Sequence, residues 1–394
     1  MRIAMVSFYY DENLKTEESF LEQNYTITGW AEALQRKGVE VIVISRFYRS
    51  STFTKNNVQY IFFNDKLGGT FRSWQMPYQF LKMISALRAD VVHLHHLTLS
   101  LQTFLLRVLS NKQTAIIVQH HGGKAPAKLK RFLHNSIHHA ADGFFFTTIE
   151  QGSEWFMGKM QHQNVLPVME GATFFDYNDR DKARKGDYYD RCEARKITGM
   201  RGSPVFLWVG RLDDNKDPIT ILNGFEIILD DFPAANLYLI FSDDRLIAEV
   251  QQKRESSSLL KSHVFLIGKV AHEQIEMYYN SADYFVLGSH YEGSGYALSE
   301  ALRCGCVPIV TDIPSFNMMT DNGKLGSLWR VGHTGSFVMA AKNALSKPIS
   351  EEGRACIHYY NKTLSFDAIA ENAIIHYGNV IMKRRKSMTA IFNA

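Results

Sequence analysis

Short, nearly continuous apolar runs alternate with helical patterns along this chain, and that rhythm leaves few folds open. RIAMVSFYY, VEVIVIS, VQYIFF, DVVHLHH, TAIIVQHH and GFFFTT are rich in Val, Ile and Phe. Helical patterns separate several of them, such as TGWAEALQRKG, closed by Gly38, and PYQFLKMISALRA. The alternation predicts an α/β fold, a parallel sheet covered on both faces. Residues 174–203 break it, being highly charged and poor in aliphatics, which suits a surface connection. The pattern then restarts: VFLWVG, PITILNGFEIIL, NLYLIF, HVFLIG, HEQIEMYYNSA, YFVLGS, ALSEALRCG and VPIVT.

At 394 residues the chain is too long for one comfortable core, which agrees with two domains. The expected bounds are 1–172, a linker over 173–203, and 204–372. The apolar start ends at Asp11 and Glu12 without a cleavage site, so it reads as a buried strand in a cytoplasmic protein. No 18-residue apolar run occurs. Four cysteines without a CxxC pair predict buried free thiols.

The charge is uneven. Residues 1–170 carry 18 Lys and Arg against 13 Asp and Glu, and the remainder 26 against 27. Lys124, Lys128, Lys130 and Arg131 concentrate the excess. They fit a solvated helix face or, alternatively, a surface for anionic lipid head groups. No nucleic-acid-binding motif accompanies them.

In open α/β sheets ligands bind beyond the carboxyl ends of strands. Arg211 and Lys216 follow VFLWVG, where a guanidinium and an ammonium could neutralise a departing diphosphate. The alternative is a pair of surface charges matched to Asp213, Asp214 and Asp217. After YFVLGS comes HYEGSGYALSE, whose Gly293-Ser294-Gly295 permits close backbone approach at a helix start. Glu292 in that loop and Glu300, two turns into the helix, could bracket one ligand. The plain alternative is a loop solvator and an exposed helix residue.

The order Gly210-Arg211…Lys216, then Gly-x-Val ending at Val270, then Ser-x-x-Glu-Gly-x-Gly…Glu-Ala resembles the donor half of the family-4 retaining glycosyltransferases. RIAMVSFYY, ADVVHLHH and IIVQHHGG look like the acceptor half. The resemblance implies the GT-B fold, two Rossmann-like domains facing each other across a cleft, with the last helix (about 373–394) packing back on the first domain. It implies that Arg211 and Lys216 hold the diphosphate and that Glu292 contacts the sugar. Gly210 belongs to the same donor site. The amides of Ser294, Gly295 and Tyr296 would cradle sugar or diphosphate, and Glu300 would take the ribose. Backbone groups of Lys269 and Val270 would meet the base. His121 would reach the reacting sugar, with His120 its competitor across a one-residue slip.

Three features depart from the family pattern. EQNYTITGW, with only Gly29, replaces a Gly-Gly loop; Ser242-Asp243-Asp244 makes an acidic turn; and Glu170-Gly171 replaces Asn-Gly. The implied reaction moves a sugar from a nucleotide sugar to a glycan or lipid-linked acceptor by front-face displacement, with no cofactor and no divalent metal. Polysaccharide, lipopolysaccharide or glycolipid synthesis is the expected setting, with peripheral contact to an anionic membrane. A GT-B epimerase or hydrolase, or a partner-binding protein without turnover, are the other readings. Lys383-Arg384-Arg385-Lys386 reads as a solvated helix end or a second membrane contact.

Overall fold

A computed structural model describes residues 1–69, 74–123, 140–156, 164–171, 173, 175 and 191–392. The basic group from Lys124 to Arg131 and linker residues 176–190 lie outside the described residues. The chain divides into two compact units. Unit 1 is Met1–Ala172 with Ser365–Ala394, and unit 2 is Thr173–Leu364.

Unit 1 contains β1 (Arg2–Ser7), α1 (Glu17–Gln23), α2 (Tyr25–Arg36), β2 (Glu40–Arg46), β3 (Ser51–Lys55) and β4 (Val58–Phe63). Then come α3 (Tyr78–Ala86), β5 (Val91–Leu94), α4 (Ser100–Leu109), β6 (Ala115–Gln119), β7 (Gly143–Phe146), α5 (Ile149–Phe156) and β8 (Val165–Pro167). The sheet order is β3-β4-β2-β1-β5-β6-β7-β8, parallel except for β3 against β4. That hairpin turns at Asn56 and Asn57, both at positive φ (50° and 63°), the twist a tight two-residue turn needs.

Side chains alternate across the strands. Ala4, Val6, Ile42, Ile44, Val92, Leu94, Ile116 and Val118 pack one face against Phe80 and Leu81 of α3 and Leu106 of α4. The opposite face buries Trp30 of α2 against His93. Because both faces are covered, the strands read as continuous apolar runs. Gly29 lies buried within α2, and the segment standing for the Gly-Gly loop runs from the end of α1 through Asn24 into the first half of α2.

Unit 2 runs α6 (Arg191–Thr198), β9 (Val205–Gly210), α7 (Pro218–Asp231), β10 (Asn236–Phe241), α8 (Ile247–Glu255), α9 (Ser258–His263) and β11 (Val264–Gly268). It continues with α10 (His272–Ser281), β12 (Tyr284–Leu287), α11 (Tyr296–Arg303), β13 (Val307–Thr311), α12 (Pro314–Met319) and β14 (Ser327–Trp329). The last elements are α13 (Thr334–Leu345), α14 (Ile349–Tyr359) and a π-helical turn (Tyr360–Leu364). The parallel sheet is ordered β11-β10-β9-β12-β13-β14. Residues 173–203 are not all linker: α6 is anchored in unit 2 by Arg191 and Arg195, which share Asp283 at 3.2 and 2.7 Å.

The closing helix α15 (Phe366–Phe392) starts before the expected 373 and buries Ile369, Ala370, Ala373 and Tyr377 in unit 1. Its basic end is not simply solvated. Lys383 donates to Asn164 (2.8 Å), Arg384 to Asp142 (3.1 Å) and Arg385 to Asp90 (3.3 Å). Three of the four cations are thus committed to unit 1. Cys304, Cys306 and Cys356 are buried thiols, whereas Cys192 is exposed, contrary to expectation, because α6 turns it outward. Among the described residues, no helix is long and apolar enough to cross a membrane.

Candidate functional site

In unit 2, β9 and β12 are neighbours, and the strand order reverses between them. The loops leaving their carboxyl ends therefore open at the switch point of the sheet, where open α/β folds bind ligands. The two loops are stitched together. The His290 amide donates to the Asn215 carbonyl (2.8 Å), and Asn215 Nδ2 donates to the Tyr291 carbonyl (2.9 Å). Gly288 makes this approach possible, since a Cβ there would stand 2.9 Å from the Asp217 carbonyl oxygen.

The stitching brings Lys216 and Glu292 into a direct ion pair between Nζ and Oε1, with each side chain only 13% exposed. Ser289 Oγ donates to the same carboxylate oxygen at 2.6 Å. Glu292 is thus oriented from two sides and is no loop solvator. Asp213 organises the other loop, accepting the Lys216 amide at 3.0 Å. Its second oxygen lies 3.4 Å from Arg211 Nε and 3.1 Å from Arg245 Nη2. Arg211 itself remains 57% exposed on the rim and is not part of the Lys216–Glu292 pair. The acidic turn is largely neutralised, because Arg245 also holds Asp243 at 3.1 Å and its side-chain and backbone hydrogen bonds keep that carboxyl below the usual carboxylate range.

Gly295 is the N-cap of α11 in the left-handed region (φ 55°), a cap that makes no side-chain hydrogen bond to the helix. A Cβ would meet Phe316 at 2.9 Å, so only glycine fits. The first-turn amides, including Tyr296, follow directly after buried Ser294, where a helix start offers donors to an anion. Glu300 is the fifth residue of α11, little more than one turn in rather than two. It is buried, not exposed, and accepts from Tyr279 Oη at 2.9 Å. Burial pushes its carboxyl up to about 7. Gly210 ends β9. Lys269 and Val270 follow β11, the edge strand two places from β9, with Lys269 exposed and Val270 half-buried.

In unit 1 the order reverses between β1 and β5, and a histidine group gathers near that switch. His95 and His96 follow β5, and His120 and His121 follow β6. His120 is buried, stacked on Phe146 (4.9 Å between centroids) and against Trp155, with Nε2 3.1 Å from the Gly123 carbonyl. His121 is exposed. Its Nδ1 pairs with Glu170, and its Nε2 lies 3.1 Å from His95 Nδ1. His121 is therefore the histidine a ligand can reach, and His120 belongs to the core. His93 continues the stack and meets Tyr377 Oη at 2.8 Å. Burial lowers His93 and His96 to about 3 and His95 well below its ordinary value, so all three stay neutral.

Ser289, Tyr279 and His95 were not expected in these groups; Asp213 was expected only as a counter-charge to Arg211 and Lys216, and Glu170 only as a departure from the Asn-Gly of the family pattern. Ser289 carried a signal too, as the last residue of the run YFVLGS, and Asp213 lies three residues past VFLWVG. Tyr279 carried none, because its contact with Glu300 spans two helices.

Two family models match the chain: Glycosyl transferases group 1 over residues 190–363, and Glycosyltransferase Family 4 over residues 23–152. The chain belongs to the family-4 glycosyltransferases. The model of group 1 covers both stitched loops and α11, and that of Family 4 covers the histidine group except Glu170. This glycosyltransferase-family chain is 32% identical to mannosylfructose-phosphate synthase of Agrobacterium fabrum, over 39% of its own length and 33% of that protein. It is 25% identical to GDP-mannose:cellobiosyl-diphosphopolyprenol alpha-mannosyltransferase of Xanthomonas oryzae pv. oryzae, over 59% of each. The matches thus span a third to three fifths of these relatives. A glycosyltransferase structure from Rickettsia africae superposes with a TM-score of 0.70 at 15% identity, covering 96% of this chain and 99% of that one. The fold is GT-B.

Proposed function

We propose that this chain transfers a sugar from a nucleoside-diphosphate sugar to a hydroxyl acceptor, with retention at the anomeric carbon and without a divalent metal. The observation that carries the reading is the Lys216–Glu292 pair at the switch point between β9 and β12. A buried lysine already held by a carboxylate at a ligand-binding edge is a diphosphate anchor waiting for a more highly charged partner. Arg211, exposed and held only at 3.4 Å, can swing onto the second phosphate. Glu292, steadied by Ser289, contacts the donor sugar. Glu300 takes the ribose hydroxyls, and the backbone at Lys269 and Val270 faces the base.

In the reaction the bond from the anomeric carbon to the diphosphate oxygen breaks as that to the acceptor oxygen forms on the same face. Lys216, Arg211 and the α11 amides stabilise charge gathering on the leaving diphosphate. The acceptor's proton passes to a departing phosphate oxygen, so neither glutamate has to be a nucleophile. This distinguishes the site from the paired carboxylates of retaining glycosidases. His121 is the unit 1 candidate for the catalytic machinery.

The acceptor class is a lipid-linked or membrane-borne glycan. The cellobiosyl-diphosphopolyprenol named for the Xanthomonas relative supports it. So do exposed Trp74, Met76 and Tyr78 entering α3, and Leu101, Phe104 and Val108 on one face of α4. Incubation with UDP- and GDP-sugars and a polyprenyl-diphosphate glycan tests the reading by NMR of the product. The expected product retains the donor's anomeric configuration, and epimerised or hydrolysed donor without transfer overturns it.

A further inference from the structure

We propose that Glu170 is a positioning residue for His121, holding the proton on Nδ1 and leaving Nε2 as a hydrogen-bond acceptor. Only the kinetic arm of this inference rests on the transferase reading above.

Glu170 lies just past β8, and its side chain is only 10% exposed. A carboxylate so placed requires donors. His121 Nδ1 supplies one directly. An ionised carboxylate has only lone pairs to offer, so the contact requires the hydrogen on Nδ1. On the far side, Nε2 faces His95 Nδ1 at 3.1 Å, with the rings stacked at 28° and 5.2 Å apart. Buried His95 is neutral and has one hydrogen to place. If Nε2 of His121 is bare, that hydrogen sits on His95 Nδ1 and completes a chain from His95 through His121 to Glu170.

The chain fixes the ring plane as well as the tautomer. His93 stacks behind His95 at 4.4 Å, and Trp30 lies edge-on to both. His96 also approaches His121, at 6.5 Å between ring centroids. The exposed edge of His121 is then an oriented acceptor, suited to a sugar hydroxyl rather than to an anion. An arriving hydroxyl takes the Nε2 lone pair from His95. The groups acting on His121 are therefore Glu170 beyond β8, His93, His95 and His96 from β5, and His120 beside it.

Long-range ¹H–¹⁵N NMR of ¹⁵N-histidine-labelled protein tests the tautomer, with His121 identified by loss of its signals in His121→Asn. The wild-type chain is expected to show Nδ1 protonated and Nε2 bare at pH 8. In Glu170→Ala the signals should move to the Nε2-protonated pattern, while Glu170→Gln, which keeps an acceptor, retains the wild-type pattern. Should Glu170→Ala fail to fold, Glu170→Asn, one methylene shorter, is expected to show the same displacement. In the kinetic arm Glu170→Ala lowers kcat by about tenfold to a hundredfold, Glu170→Gln recovers most of it, and donor KM changes little. A wild-type His121 protonated on Nε2, or a pattern identical in wild type and Glu170→Ala, overturns the inference. If no nucleotide sugar turns over at all, the transferase reading fails while the NMR result still decides the tautomer.

Discussion

Lys216 and Glu292 are separated by 76 positions, yet they form one ion pair that ties together the loops after β9 and β12. Neither side chain is more than 13% exposed, so each needs the other. Lys216→Ala should leave a buried carboxylate without its cation and cost about 3–5 kcal/mol in urea denaturation. Lys216→Met with Glu292→Gln should cost less than the two single changes summed, because the pair is coupled. Donor turnover should fall about 10²- to 10³-fold in either lysine variant, as the leaving group loses its counter-charge.

Arg211 offers the opposite balance. It is exposed and its Asp213 contact is long, so Arg211→Ala should change stability by no more than about 0.5 kcal/mol. Affinity for a nucleoside diphosphate should nevertheless fall, and calorimetric titration beside thermal denaturation would show one effect without the other. Equal binding by wild type and Arg211→Ala would remove Arg211 from the site.

Glu300 makes a pH prediction. Its carboxyl lies at about 7 in the folded chain, above the ordinary 4.5. Between those values the folded state keeps a proton that the unfolded state releases, so stability falls as pH rises through this window. Glu300→Gln should remove the slope, gaining up to about 3 kcal/mol relative to wild type at pH 8 and nothing at pH 4. In the proposed donor site the ribose hydroxyls would donate to the ionised carboxylate, so wild-type donor affinity should rise with pH through about 7. In Glu300→Gln it should be weaker and flat.

The two adjacent histidines should separate cleanly. His120→Ala removes a ring packed on Phe146 and Trp155 and should lower the melting temperature. His121→Ala removes a ring at the surface and withdraws its donor from Glu170, so it should lower the melting temperature less than His120→Ala does and should lower turnover. Reversal of these phenotypes would restore His120 as the site residue.

Much of the fold was legible because parallel strands buried on both faces must be continuously apolar, as in Arg2–Ser7, Val205–Gly210 and Tyr284–Leu287. β3 was not: STFTK is a polar, largely exposed edge strand with no such requirement. β14 is three residues long and raises no apolar run of its own. In the candidate site, position at a strand end was what singled out Arg211, Lys216 and Glu292 in the sequence. Partners joined across space could not. The Tyr279–Glu300 bond and the Glu170–His121–His95 chain depend on how helices and strands pack, which no local spacing reveals. The exposure of His121 and burial of His120 likewise follow from which side of β6 each residue leaves.

Nucleoside-diphosphate-sugar binding to wild type and Lys216→Ala, followed by thermal shift across UDP, GDP and ADP sugars, tests the donor site directly. At a hundred times its dissociation constant, a bound donor stabilises the native state by about 2.7 kcal/mol. One base series should raise the melting temperature of the wild-type chain, and Lys216→Ala, compared with its own unliganded melt, should lose that shift. An equal shift in both proteins, or no shift with any of the three series, would contradict a donor site built on Lys216 and Glu292.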